Sequence, residues 1–194
     1  MIAAIILAAG ESKRMGQPKM LLPWGETTVL GRVISAYQEA GLENIIVVTG
    51  AAREQVTAVA EQYGVSSAFN EQYASGEMLS SLQLGLRAAM NNPAKAALIG
   101  LGDQPQVQAG CIKQVCEIYR KRNANLIVPS FERRRGHPWL IGRPLWNELL
   151  DLRAPQSPRD LLNRRGEEIL YVEVDTPSIL ADLDTPQDYQ DARP

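Results

Sequence analysis

The chain has 194 residues, 45% hydrophobic and 22% charged, with a formal charge of -2 and a pI near 5.5, values that let one domain bury roughly 70% of its unfolded surface. So even a charge balance leaves no broad electropositive face for a polyanion, which argues against non-specific nucleic-acid binding. The two cysteines, Cys111 and Cys116, stand five apart in a helical pattern that points them in different directions; no second pair completes a zinc set, so a reducing compartment, the cytoplasm, is the simplest home.

The opening run, residues 1–9, is apolar throughout, but it lacks a basic leader and Gly10 stops it far short of the ~20 residues that cross a bilayer. It reads as neither signal peptide nor anchor, and no membrane partner is expected. Too short for a typical helix and too uniformly apolar for a half-exposed strand, it reads as a strand buried on both faces. Leu30, Val33, Ile34 and Tyr37 then recur at helical spacing, with Gly41 placed for a left-handed C-terminal cap. Residues 44–49, β-branched within and closed by Gly50, form a second strand. A helix on Val56, Val59, Ala60 and Tyr63 ends at Gly64; residues 65–69 make a short third strand; Leu82, Leu86, Ala89 and Met90 mark another helix. Residues 96–100 form a fourth strand running into Gly102-Asp103-Gln104-Pro105, followed by a helix on Ile112, Val115, Cys116 and Tyr119 and a fifth strand at 125–129. Such alternation calls for right-handed crossovers and a mostly parallel, Rossmann-like sheet with helices on both faces, a three-layer αβα architecture of the α/β class.

Beyond Ser130 the rhythm breaks. Residues 132–137 read as a charged loop, 138–141 as a short strand, 143–152 and 158–165 as helices and 169–174 as a strand. Ile179 opens a short strand that enters a turn before a helix capped at Thr185-Pro186. With no repeat, low-complexity stretch or linker, residues 1–194 read as one domain.

In an open parallel sheet, ligands bind beyond the carboxyl ends of the strands, so the informative residues follow each apolar run. After the first strand, small residues at Ala8, Ala9 and Gly10 let backbone amides approach a ligand, while Arg14 and Lys19 bring cations to the same loop, a combination suited to a triphosphate. Neither G-x-x-x-x-G-K-[ST] nor G-x-G-x-x-G is present. Asp103 stands at another strand end. Beside a triphosphate a lone carboxylate needs a divalent cation between them, and Mg²⁺ binds one or two carboxylates plus phosphate oxygens; equally, Asp103 could form a turn and cap the next helix. Asp182 and Asp184 alternate along an extended segment and so face one side together, whereas Asp188 falls in the first helical turn, where its charge suits the dipole.

The segment LAAGESKRMGQPKMLLPWGETTVL resembles the strand-one signature of nucleotidyltransferases of the molybdenum-cofactor type, and GLGDQP, GHPWLI and DLDTPQDY follow in that family's order. The resemblance covers nearly the whole chain and, through LAAG, is nearest to the cytidylyltransferases. It implies a loop from Leu7 through Gly10 that holds the nucleotide, with Arg14 and Lys19 on the phosphates and Mg²⁺, or Mn²⁺, on Asp103 and, in preference to Asp182, on Asp184. Residues 73–82, between a strand end and a helix N-terminus, would bind a substrate phosphate through Ser80 or Ser81, the alternative being helix capping. Glu77 interrupts the family's glycine-methionine step there, leaving open which serine acts. His137, the only histidine, lies in the family's G-H-P step and would recognise the acceptor beside Arg133, Arg134 and Arg135; Trp139 is bulkier than the family leads one to expect.

The reading that results is transfer of CMP from CTP to the phosphate of molybdopterin with release of pyrophosphate. Residues 1–130 would be the nucleotide half and 131–194 the acceptor-binding, closing half. A phosphomonoester acceptor is already an anion and needs no general base, so Arg14, Lys19 and Asp103 would act by positioning and charge neutralisation. The resemblance further implies transient contact with a molybdoenzyme or a cofactor chaperone. The alternatives are a sugar-1-phosphate nucleotidyltransferase and a non-catalytic nucleotide or pterin carrier.

Overall fold

The computed structural model describes residues 1–74 and 78–194. Strand β1 (Ile2–Ala8) is buried at every position, as an apolar run with parallel neighbours on both edges must be. A 3-10 turn at Lys19–Leu21 leads into a small hairpin of β2 (Pro23–Trp24) and β3 (Thr27–Thr28), turned by Gly25 at φ 59°; strands of two residues are too short for periodicity to reveal. Helix α1 (Val29–Glu39) starts where Thr28 Oγ1 accepts the Gly31 N–H at 3.0 Å. There follow β4 (Ile45–Thr49), α2 (Arg53–Gln62), β5 (Ser66–Phe69), α3 (Met78–Met90), β6 (Ala96–Leu101) and α4 (Ala109–Arg122). The remainder is β7 (Leu126–Phe131), β8 (Arg134–Arg135), β9 (Trp139–Gly142), α5 (Trp146–Asp151), α6 (Pro158–Arg164), β10 (Leu170–Glu173) and α7 (Pro186–Ala192).

Apart from the β2/β3 hairpin, the strands form one sheet in the order β10-β7-β9-β6-β1-β4-β5, with β8 attached to β7. The pairs β6/β1, β1/β4, β4/β5 and β10/β7 are parallel, while β9 runs antiparallel to both its neighbours. The result is the mostly parallel α/β sheet expected. Alternation along β1 divides the interior into two cores: Ile2, Ala4, Ile6 and Ala8 face Leu30, Ile34, Val56, Ile112 and Val115 on one side, and Ala3, Ile5, Leu7 and Ala9 face Leu82, Leu86, Trp146 and Leu161 on the other. Thus α1, α2 and α4 cover one face and α3, α5 and α6 the other. An 11-residue helix such as α1 is marginal alone; burying Leu30, Val33 and Ile34, at roughly 1.5–3 kcal/mol each, holds it in place.

Three expectations are corrected. Residues 132–137 are not all loop: Glu132 and Arg133 take positive φ (48° and 63°), making the tight turn of a β7/β8 hairpin in which Phe131 pairs with Arg134. Residues 177–180 are a 3-10 turn rather than a strand, because Thr176 caps Ser178 N–H and the Ile179 carbonyl accepts from His137 N–H at 3.0 Å instead of joining a ladder. And Cys111 and Cys116, free and buried, share one core, since the apolar stripe of α4 is wide enough to hold both. No described helix is long and apolar enough to cross a membrane.

Candidate active site

The parallel strands β1, β4 and β6 end at one edge of the sheet, and their exit loops approach one another there. Gly102 N–H donates to Leu7 O at 2.9 Å and Ala51 N–H to Ala9 O at 3.3 Å. A Cβ at Gly50 would lie 2.1 Å from the backbone Ala9 O, so only glycine permits that approach, and one at Gly102 would lie a tight 3.1 Å from Leu7 O.

Beyond Gly10 the chain folds back on itself. Ser12, at φ 54°, accepts the N–H groups of Met15 and Gly16 on its carbonyl at 3.0 and 3.1 Å and that of Lys19 on its hydroxyl at 3.2 Å. This returns Lys19 to the sheet edge. Its ammonium pairs with Asp103 Oδ2 and donates to Asp184 Oδ1 at 3.3 Å, while Arg14 Nη2 lies 3.0 Å from Asp184 Oδ2. The Lys19 and Asp103 side chains are only 12% and 16% exposed, against 70% for Arg14. Burial alone would lower the Lys19 pKa; the Asp103 carboxylate, aided by Asp184, overcomes that and raises it.

Asp184 arrives from the far end of the chain. Leu183, itself buried, donates its N–H to Asp103 O at 3.0 Å. Asp188 Oδ2 accepts the N–H groups of Asp184 and Thr185 at 3.1 and 2.7 Å, closing a capping box on α7. The Thr185 N–H holds the Asp188 carboxyl below its ordinary range, which gives Asp188 a structural task. Asp182 is held separately, accepting from Gln104 Nε2 at 2.6 Å, and burial followed by the Asp103 charge pushes its pKa up.

Three cavities share walls here. A 250 Å³ hollow bounded by Gly10, Ser12, Arg14, Lys19 and Asp184 shares Gly10, Lys19 and Asp184 with one of 390 Å³ that also reaches Leu7, Ala9, Ser81, Asp103 and Asp182. The second shares Met78, Leu101 and Asp182 with a third of 570 Å³, walled by Gln104, Arg133, His137, Trp139 and Arg159 among others.

Of the sequence candidates, Leu7, Ala9, Gly10, Arg14, Lys19, Asp103, Ser81 and Asp184 therefore meet around the first two cavities. Ala8 belongs to the opposite core, packed beside Gly102. The Ser80 and Ser81 hydroxyls both accept from Asn70 Nδ2 at 2.9 Å. Ser75, Gly76 and Glu77, part of the expected anion-binding segment, lie outside the described residues. His137 sits apart from the phosphate-loop cations, in the 570 Å³ cavity, with its ring stacked on Trp139 at 4.5 Å and 16°. Burial, and then the Arg159 charge, pull its pKa down to about 3, so the ring is neutral at pH 7. Sequence reasoning missed Asn70, Gln104 and Arg159. Asn70 directly follows β5 and obeys the same strand-end rule that singled out Asp103; Arg159, on the short helix α6, carries no local signal.

Two carboxylates focused on one ammonium match the donor set of a divalent ion. Among the described residues no cluster of three or more His, Cys, Asp or Glu gathers. A carboxylate pair beside cations and close-packed loop backbone fits Mg²⁺ or Mn²⁺, which complete their shells with phosphate oxygens and water.

Comparison with known proteins accords with this geometry. The chain is 31% identical over 198 residues to the molybdenum cofactor cytidylyltransferase of Escherichia coli K12, covering 99% of this chain and 95% of that protein. The crystal structure of the Rv0371c protein of Mycobacterium tuberculosis H37Rv superimposes with a TM-score of 0.84 at 29% identity, over 98% of this chain and 96% of that one. A second structure of the same protein is a manganese complex, with a TM-score of 0.77 at 29% identity over 98% and 96% of the two chains. A nucleotidyl transferase of Methanothermobacter thermautotrophicus gives 0.83 at 25% identity, over 100% and 96%. The signature of the MobA-like NTP transferase domain matches residues 4–169, and with the strand-end loop, the Lys19 ion cluster and the sheet all in agreement, the chain belongs to that family and is a nucleotidyltransferase.

Proposed function

We propose that this nucleotidyltransferase uses CTP and a divalent metal to cytidylylate the phosphate of molybdopterin, releasing pyrophosphate. The observation that carries the reading is the meeting of Arg14, Lys19, Asp103 and Asp184 at the wall between the loop hollow and the deeper cavity. The choice of CTP and molybdopterin is supported by the Escherichia coli relative named for that activity. An anionic acceptor is supported by Arg133, Arg134, Arg135 and Arg159 around the adjoining cavity.

In this scheme the backbone of Leu7 through Gly10 cradles the nucleotide, and Ser81 lines its far wall. Arg14 and Lys19 hold the β- and γ-phosphates and neutralise charge on the departing pyrophosphate. Asp103 and Asp184 would hold a divalent ion, Mg²⁺ or Mn²⁺, which supplies further neutralisation of the reacting phosphates when bound. An oxygen of the acceptor phosphate forms a bond to the α-phosphorus as the bond to the β-phosphate oxygen breaks; no proton need be removed. His137, neutral at pH 7, contributes to the acceptor cavity rather than to proton transfer. Residues 131–194 thus furnish most of the acceptor side and Asp184, and residues 1–130 the nucleotide side together with Gln104 at the acceptor cavity. Free, buried cysteines accord with work in the cytoplasm.

Purified protein incubated with each of the four ribonucleoside triphosphates, Mg²⁺ and molybdopterin should release pyrophosphate with CTP. Absence of release with every combination would overturn the proposal; release with another triphosphate would overturn the base assignment.

A further inference from the structure

We infer that Gln104 is a specificity-determining residue for the acceptor, its Oε1 taking a hydrogen bond from a ring N–H of a cyclic amide. The inference rests on the acceptor reading of the 570 Å³ cavity. Gln104 is 3% exposed and borders that cavity together with Asp182, which also borders the nucleotide side. Its Nε2 donates to Asp182 Oδ1 at 2.6 Å and to Ile179 O at 3.3 Å. A carboxylate and a backbone carbonyl both accept, so the network fixes the amide: nitrogen toward these partners, oxygen away from them. That oxygen is buried and, among the described residues, has no hydrogen-bond partner.

A carbonyl removed from water without a donor is an arrangement folded proteins avoid, because the hydration lost is not replaced. A donor carried by the occupant of the cavity would replace it. The same wall holds groups of complementary kind: Trp139 Nε1, an obligate donor, and His137 Nε2 are buried without partners among the described residues. One bare carbonyl and one bare indole N–H ask for an occupant that offers both an N–H and a C=O, which is the edge of a cyclic amide. The stacked His137 and Trp139 rings suit a flat one. A glutamine with a purely structural task would have partners at both ends of its amide; among the described residues Gln104 has them at one.

The test uses pterin, whose ring is fluorescent, and pterin methylated at its lactam nitrogen, titrated without turnover into the wild type and Gln104→Met. The wild type should bind pterin more tightly than the methylated compound by about tenfold or more, since a polar site discriminates strongly against a ligand that leaves it unpaired. In Gln104→Met that ratio should fall to about one, because the variant has no carbonyl to lose. A wild-type ratio near one overturns the inference, as does a ratio that survives in the variant or a protein that binds neither compound. Should Gln104→Met fail to fold, the wild-type ratio alone decides. Discrimination as expected without any pyrophosphate release would instead overturn the transferase reading and leave the assignment of Gln104 standing.

Discussion

Replacing His137 by glutamine should flatten the acid limb of the protein's stability curve. The imidazole is held neutral by burial and by the Arg159 guanidinium, which bring its pKa from 6.5 down to about 3. The unfolded chain has neither influence, so as the pH falls it takes up the proton first, and every proton bound only by the unfolded state favours unfolding. The sign follows: the contribution is fully present above pH 6.5 and is lost as the pH falls toward 3. Between pH 7 and pH 5 the linkage relation gives a loss of about 2 kcal/mol, because any folded value below 4 leaves the ring neutral at pH 5 while the free ring is almost wholly charged. Carboxylates titrate over the same range, which makes the informative quantity a difference between proteins. Urea unfolding at pH 7 and pH 5 should show the wild type losing about 2 kcal/mol more than His137→Gln. Equal losses would mean that the ring is protonated in the folded protein, and the account of a neutral, stacked His137 in the acceptor cavity would be wrong.

Asp103→Asn keeps the shape of the turn after β6 but removes the charge that faces Lys19; kcat should fall by about 100-fold or more while the circular dichroism spectrum is retained, and a rate near normal would take Asp103 out of the scheme. Gly50→Ala drives a Cβ to within 2.1 Å of Ala9 O, a backbone atom that cannot swing aside, so it should destabilise by roughly 1–3 kcal/mol and weaken CTP binding; an unchanged thermal melt would contradict the close approach of β1 and β4 exits. Burial pushes the Cys111 and Cys116 thiols up to about 12 and about 11, so both should resist a thiol reagent at pH 8 in the native protein and react on denaturation. Rapid labelling of native protein would show that α4 does not hold them in the core.

Several features are legible in the sequence because they depend on neighbours along the chain. The uniform apolarity of residues 2–8 can be satisfied only between two helical layers, and the small residues before Gly10 mark a backbone meant for close approach. The Thr185-Pro186 step and Asp188 cap α7 through local bonds. Asp103 stood out because strand ends in a parallel sheet share one edge. What local pattern could not carry is the direction of side chains brought together from distant segments. Nothing in the spacing says that Asp184 shares its carboxylate between Arg14 and Lys19 while Asp182, two residues away, turns to Gln104. Nor does it say that residues 177–180 coil so that the Ile179 carbonyl can serve His137 and Gln104. Arg159 reaches the cavity only because α6 packs against α5, with Leu161 and Leu162 in the core that also holds Leu126, Val128 and Trp139, and the bare oxygen of Gln104 exists only because tertiary packing took the water away. Charge and hydrogen-bonding chemistry act through space over a few ångströms, whereas periodicity reports on adjacency in the chain; the site is where the two scales part.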